Sequence, residues 1–388
     1  MKWEKIRLGE VATFVNGYPF KPTEWDTNGL EIIRIQNLTK SGSDCNFFNG
    51  ILPDKYKVTQ GDILISWSAT LDIFEWDGKD AWLNQHIFKV VFDKIEIDKN
   101  YFIYSIKHIL NDIRRQVHGA TMQHITKSKF DNIQIPLPPL PIQKRIAEIL
   151  DAADALRKKD QELLKKYDEL AQAIFIDMFG DPVKNEKGWE TDKLKNLTTK
   201  IGSGATPTGG KTAYKTEGIT LIRSMNVYDF TFKWKDLAFI DEIQATKLNN
   251  VTVEHNDVLF NITGASVCRC SIVPDELLPA RVNQHVAIIR AKSDILNPFF
   301  LNHLLVSDST KSKLNEVGAG GGAVMEAITK EQLEQFKIIV PEINQQNQFE
   351  LLIQNIFSQK NIGKTTINHS SRLFDTLIQK AFSGELVV

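Results

Sequence analysis

The chain has 388 residues, a hydrophobic fraction of 42% and a formal net charge of −1. That is enough for two or three domains with filled cores, and it excludes a whole-surface polycation while leaving local phosphate-binding fields open. No apolar run nears the roughly 20 residues of a membrane helix, the N-terminus carries no apolar signal stretch, and the three cysteines form no disulfide framework, so a reduced, cytoplasmic protein with no membrane partner is expected.

Residues 1–141 read as a mixed α/β domain. Residues 31–35, 62–66 and 86–92 are β-type runs punctuated by Gly, Asn, Asp and Pro. Between 100 and 113, Phe102, Ile103, Ile106, Ile109, Leu110 and Ile113 share one helical face. Residues 133–139 read as a strand entering a rigid spacer, because proline disfavours helix in the residue before it. Residues 142–182 form a spacer helix. Ile149, Ala153, Leu156, Leu163, Tyr167, Leu170 and Ile174 step by threes and fours, with polar Asp160 in the series, which is coiled-coil spacing. Gly180-Asp181-Pro182 stops it.

Residues 183–341 repeat the first domain, and 342–388 repeat the helix. Trp3-Glu4 returns at 189–190, Ile33-Arg34 at 222–223, Asn84-Gln85-His86 at 283–285 and Ile125-Thr126-Lys127 at 328–330. The order holds while the offset grows from 186 to 203 residues, as loop insertions require. The second helix keeps the apolar pattern at its ends (Phe349, Leu352, Ile356; Leu373, Leu377, Ala381). Gln359, Gly363, Thr366 and Ser370 predict a weaker or kinked centre. A duplicated domain-plus-helix tends to fold about a pseudo-two-fold axis. The expected class is therefore α+β: two mixed α/β domains separated by an antiparallel pair of long helices, the second ending beside domain one.

Candidate contact residues follow from the matched positions. Asn84, Gln85 and His86, with Asn283, Gln284 and His285, either read base edges or satisfy buried backbone at a turn. Arg34 with Asn37 and Arg223 with Asn226 either contact DNA or brace a loop. Lys127 and Lys330 follow a Gly-Ala-x-Met loop in each copy, as phosphate contacts or solvated charges. Trp67 stands where the second copy has Ile262, a place for two halves to read different sequences or simply to pack differently.

The stretch 202–212 is glycine-rich but fails the phosphate-loop spacing, with Ala205 where a glycine is needed and Pro207 among the amides. A loop touching DNA phosphates through Thr206, Lys211 and backbone amides fits better. Asn297-Pro298-Phe299-Phe300 lacks the second proline of the adenine-methyltransferase motif and reads as structural. Cys268-Arg269-Cys270 lacks a second pair at zinc spacing. The basic clusters 157–159, 165–166 and 114–115, the last with His118 and His124, read as solvated helix faces. No catalytic triad, metal cluster or carboxylate pair stands out.

With those residues in view, the chain resembles the specificity subunit of type I restriction-modification enzymes over essentially its whole length. The carriers are residues 3–11 and 189–194, Gly61-Asp62-Ile63-Leu64, the two Asn-Gln-His segments, the run 135–146, Phe179-Gly180-Asp181-Pro182 and the segment 381–386. The resemblance implies two target-recognition domains, each reading half of a bipartite double-stranded DNA site. It implies spacer helices that dock two methyltransferase subunits, with Ile149, Leu156, Leu163, Leu170, Ile174, Leu352, Ile356, Leu373 and Leu377 as candidates. It also implies restriction-translocase subunits as partners, with adenosylmethionine, ATP and Mg on those partners and no catalysis, metal or cofactor on this chain. The alternative is a non-enzymatic coiled-coil scaffold that binds protein rather than DNA.

Overall fold

The computed structural model describes residues 3–39, 44–68, 71–116, 127–207, 209–319 and 327–386. The chain divides into two compact units, one of Met1–Gln161 with Thr365–Val388, the other of Glu162–Lys364.

In the first unit, Thr13–Asn16, Ile87–Val91, Ile63–Ser66 and Asp72–Glu75 form an antiparallel four-stranded sheet in that order. A second sheet runs Asn46–Phe48, Leu30–Ile33, Ala81–Leu83, Lys57–Val58, with Leu30–Ile33 parallel to Ala81–Leu83. Lys5–Arg7 pairs with Gln134–Pro136. Strand alternation separates two cores. Ile63 and Ile65 join Phe14, Phe88 and Phe102 on the side of the helix Lys99–Gln116, while Leu64 joins Ile33, Val58 and Leu83 on the other.

The second unit repeats this strand for strand. Thr198–Ser203, Val286–Ala291, Val258–Asn261 and Cys270–Ile272 make one sheet. Ala238–Ile240, Ile219–Ile222, Ala280–Val282 and Thr252–Val253 make the other, again with one parallel pair. Thr191–Lys193 pairs with Lys337–Ile339. The growing offset is accounted for in part by added pieces: a hairpin of Val227–Tyr228 and Thr231–Phe232, and a helix Glu242–Lys247 whose N-cap Asp241 accepts from Gln244 N at 2.8 Å.

The long helices run Leu140–Phe179 and Ile343–Ser383. Gly180 and Gly384, at φ of 75° and 78°, end them in the left-handed region that glycine enters freely. Each unit contains one end of each helix, and the pairing is antiparallel in both. In the first unit Ile146, Leu150 and Ala153 cluster with Phe374, Ile378 and Ala381, and Phe382 and Leu386 pack there too. The second helix thus ends beside domain one, as expected. In the second unit Ala171, Phe175 and Phe179 cluster with Phe349, Ile353 and Ile356.

The seam differs from the expected one. Leu156, Leu163, Leu170, Leu352 and Leu373 are 44–47% exposed, and Ile149, Ile174 and Leu377 are half-buried. Along the first helix the buried line keeps the expected Ala153 and half-buried Tyr167, and otherwise runs through Ile146, Leu150, Asp154 and the half-buried Leu164 to Ala171 and Phe175. The observed line keeps a seven-residue step (146, 153, 167 and 150, 164, 171), and Leu150, Leu164 and Ala171 stand one residue further on than the expected Ile149, Leu163 and Leu170. The expected weak centre of the second helix is unbroken helix. At Gly363 a Cβ would lie 2.8 Å from Leu164 Cδ2, so the glycine allows close approach, and Lys360 pairs with Asp168 beside it.

Candidate nucleic-acid interface

Leu30–Ile33 and Ala81–Leu83 are parallel neighbours, so the segments that follow them emerge at one sheet edge. Asn84 N donates to Ile33 O at 3.3 Å, and in the second unit Asn283 N donates to Ile222 O at 3.0 Å. Two more segments join this edge. Tyr18 N reaches Leu83 O at 2.8 Å and Gln85 N reaches Tyr18 O at 3.0 Å; Gly204 N reaches Asn283 O at 3.1 Å. A Cβ on Gly17 would lie 2.1 Å from Asn84 O, and one on Gly204 1.7 Å from Val282 O, so only glycine fits at either place. Trp67 N donates to His86 O at 3.3 Å, and Ile262 N to His285 O at 3.0 Å. In each unit matching backbone bonds tie three of these loops together, and the segment at Gly17 or Gly204 joins them through different ones.

Arg34 and Arg223 brace this face. Asn37 Oδ1 accepts from Arg34 N at 3.0 Å, and Asn226 Oδ1 from Arg223 N at 3.2 Å. Arg34 Nη2 donates to Asp44 O at 2.9 Å, and Arg223 Nη2 to Asp236 O. Each guanidinium lies over a ring, Trp25 at 5.3 Å and Tyr214 at 5.4 Å. Asn37 Nδ2 donates to Asp44 O at 3.4 Å, while Asn226 is fully buried and donates to Lys233 O and Lys235 O. Asn283 is also buried, its Oδ1 accepting from His285 N at 3.1 Å. For Asn226 and Asn283 these bonds are the bracing role, the second of the two expected of them. The Asn226 amide is committed at both ends and Asn283 through its Oδ1, because a buried polar group left unbonded would cost about 1–3 kcal/mol.

The remaining candidates lie nearer the surface. His86 and Gln284 are exposed; Asn84, Gln85 and His285 are half-buried. Trp67 stacks on Phe88 at 5.8 Å and its Nε1 donates to Asn16 Oδ1 at 3.3 Å, whereas its counterpart Ile262 is buried. Thr206 bonds Gln284 Oε1, and His285 Nδ1 lies 2.6 Å from Thr263 Oγ1. Lys127 and Lys330 open short helices and pair with Asp131 at 2.7 Å and Glu334 at 3.4 Å. The Gly-Ala-x-Met loops before them, and the side chain of Lys211, lie outside the described residues. Asn297 is a helix cap, accepting from Phe299 N at 2.9 Å. No group of three or more metal-ligating side chains occurs among the described residues, and no described helix is long and apolar enough to cross a membrane.

Sequence reasoning missed a pair of buried glutamines. Gln143 Oε1 accepts from Asp98 N at 2.9 Å and its Nε2 donates to Pro138 O at 2.8 Å. Gln346 does the same with Asn297 N at 2.9 Å and Pro341 O at 2.7 Å. Each locks the start of a long helix to the N-terminus of a domain helix. The signal was present, since 143 and 346 sit at the constant offset of 203.

The model of the "Type I restriction modification DNA specificity domain" family matches residues 1–166 and 186–369. The specificity subunit of the type I restriction enzyme EcoBI from Escherichia coli is 24% identical, covering 99% of this chain and 86% of that protein. The MjaVIII specificity subunit of Methanocaldococcus jannaschii is 25% identical, covering 82% of this chain and 78% of that protein. Among solved structures, a chain from the type I system described for its complex assembly and conformational transition superposes with a TM-score of 0.62 at 18% identity, covering 99% of this chain and 98% of that one. The S subunit from M. genitalium superposes with a TM-score of 0.54 at 15% identity, covering 98% and 96%. Those two establish likeness of fold. Together with a family match spanning both repeats, they lead to one conclusion: this chain belongs to the type I restriction-modification DNA specificity family.

Proposed function

We propose that this chain is the sequence-reading subunit of a type I restriction-modification complex, each unit placing its four-loop face on one half of a bipartite DNA site. The observation that carries this is the duplication of one hydrogen-bonded face on which different side chains stand, as two unlike half-sites require. Base-edge contacts worth about 1–3 kcal/mol each select sequence, while phosphate contacts set register. The 40-residue first helix is about 60 Å long, the length of on the order of 17 base pairs of B-DNA, and serves to set the gap between half-sites.

The exposed leucines Leu156, Leu163, Leu170, Leu352 and Leu373 offer apolar contacts to two methyltransferase subunits. Those partners carry adenosylmethionine and flip the target adenine out of the duplex. Restriction subunits using ATP and Mg then join, and this chain contributes no chemistry, cofactor or metal of its own. The work is done on cytoplasmic DNA. A scaffold binding only protein is disfavoured by the match of both repeats to a DNA-specificity family.

Co-expression with methyltransferase subunits in a host lacking adenine methylation, followed by methylated-adenine sequencing, is expected to return one split motif that depends on this chain. Methylation with no motif, or a motif that survives deletion of this chain, would contradict the reading.

A further inference from the structure

The two units build the same turn and display different side chains from it. In the first, Arg34 precedes the one-turn helix Ile35–Leu38 and Asn37, the third residue of that helix, bonds back to Arg34; in the second, Arg223 and Asn226 do the same at the 3-10 turn Ser224–Asn226. Ile35 packs on the cluster around Ile33 and Leu83, and Ser224 O accepts from Asn261 Nδ2 at 2.9 Å, so the residue after each arginine is bound into the frame. The side chain of the next residue is not. Gln36 is half-buried, its amide makes no hydrogen bond among the described residues, and neither amide atom is sealed from solvent. Its counterpart at the constant offset of 189, Met225, is 40% exposed.

We propose that Gln36 and Met225 are specificity-determining residues, each reading one base pair in its own half-site. This deepens the functional reading above and rests on it. Residues shared by both copies cannot by themselves distinguish two unlike half-sites, and the shared Arg34/Arg223 and Asn37/Asn226 pairs are tied to backbone carbonyls and amides. Gln36 and Met225 differ, stand at the same place on that frame, and are open to solvent. A free glutamine amide is matched to the paired donor and acceptor on the major-groove edge of adenine. A methionine has no strong donor or acceptor and is matched to the methyl group of thymine, as other apolar side chains are.

The test uses the full chain assembled with methyltransferase subunits and reads the methylated motif by sequencing, for the wild type, Gln36→Ala, Gln36→Met and Met225→Gln. The Gln36 variants are expected to lose discrimination by roughly 10-fold at one position of one half-site, with the other half unchanged, and Met225→Gln to act only on the other half. Motifs identical to the wild type in all three variants would overturn the proposal while leaving the functional reading intact. Relaxation in both halves from one variant would overturn it too, as would loss of all methylation by both Gln36 variants, which would make the residue part of the frame. A wild-type complex without a split motif would overturn the functional reading and this proposal with it.

Discussion

The joint between domain and long helices is built twice, with the same geometry and opposite chemistry. In the first unit Tyr104 Oη donates to Asp151 Oδ1 at 2.7 Å. Nearby, Asp154 is buried between Arg157 and Lys158, and Arg157 lies 4.6 Å over the Phe374 ring. In the second unit the position of Tyr104 is held by His303, packed among Phe175, Phe230, Phe349 and Phe357, and Phe357 stands at the position of Asp154. The polar clamps Gln143 and Gln346 are the same in both. A buried hydrogen-bonded clamp specifies direction as well as distance. Once it fixes how the helix leaves the domain, the surrounding core is free to diverge, provided volume is filled and buried charge is partnered.

The largest contrast is expected from truncating the aromatic joint. Phe349→Ala removes a fully buried ring and should cost the second unit about 3–5 kcal/mol, read as a fall in urea midpoint of the intact chain. Asp154→Asn at the first joint should cost about 1–2 kcal/mol, since it weakens charge-assisted bonds without opening a cavity. Equal losses would erase the distinction drawn between the joints.

Acid comes next. Burial pushes the His303 imidazole down to about 4, against a hydrogen bond to Phe299 O that acts to raise it. Below about pH 6.5 the unfolded chain takes up a proton that the folded joint refuses. Stability of the second unit therefore falls as pH drops from about 6.5 to 4, by about 3 kcal/mol in all. His303→Tyr, which installs the residue of the first joint, should remove this part of the slope between pH 7 and 5. An unchanged slope would place the acid sensitivity elsewhere.

The clamps should respond alike. Gln143→Leu and Gln346→Leu each strand a backbone N–H and at least one carbonyl, and each should cost about 2–3 kcal/mol. The contrast between the two variants is therefore the smallest of the series. A difference of more than about 1 kcal/mol between them would show that the clamp is not the shared element.

Most of the architecture was legible from the repeat alone. Matched fragments in constant order gave the two domains, the two helices and the return of the second helix to the first unit. The seam was legible in part: Ala153 and Tyr167 lie on it, but Ile149-Leu150, Leu163-Leu164 and Leu170-Ala171 each offer two adjacent apolar residues, and the structure uses the second of each pair. At the candidate interface, matching polar residues left two roles open, base contact or internal bracing. Asn226 and Asn283 match because both frames need the same internal hydrogen bonds. A sequence match reports a shared requirement and does not say whether that requirement faces DNA or backbone. The Gln36/Met225 mismatch did not stand out where that of Trp67 and Ile262 did, since exchanging two flexible side chains of similar length alters the pattern less than exchanging an indole for an isoleucine.

The claim that one frame carries two independent readers is tested most directly by giving a chain the same reader twice. Residues 3–138 are replaced with the matching 189–341, the complex is assembled with methyltransferase subunits, and methylated adenines are mapped. The account predicts a split motif whose two halves carry the same sequence in opposite orientation, one of them being the half that the wild-type second unit reads. A motif whose halves remain unlike, or whose second half changes although its reader was untouched, would contradict it.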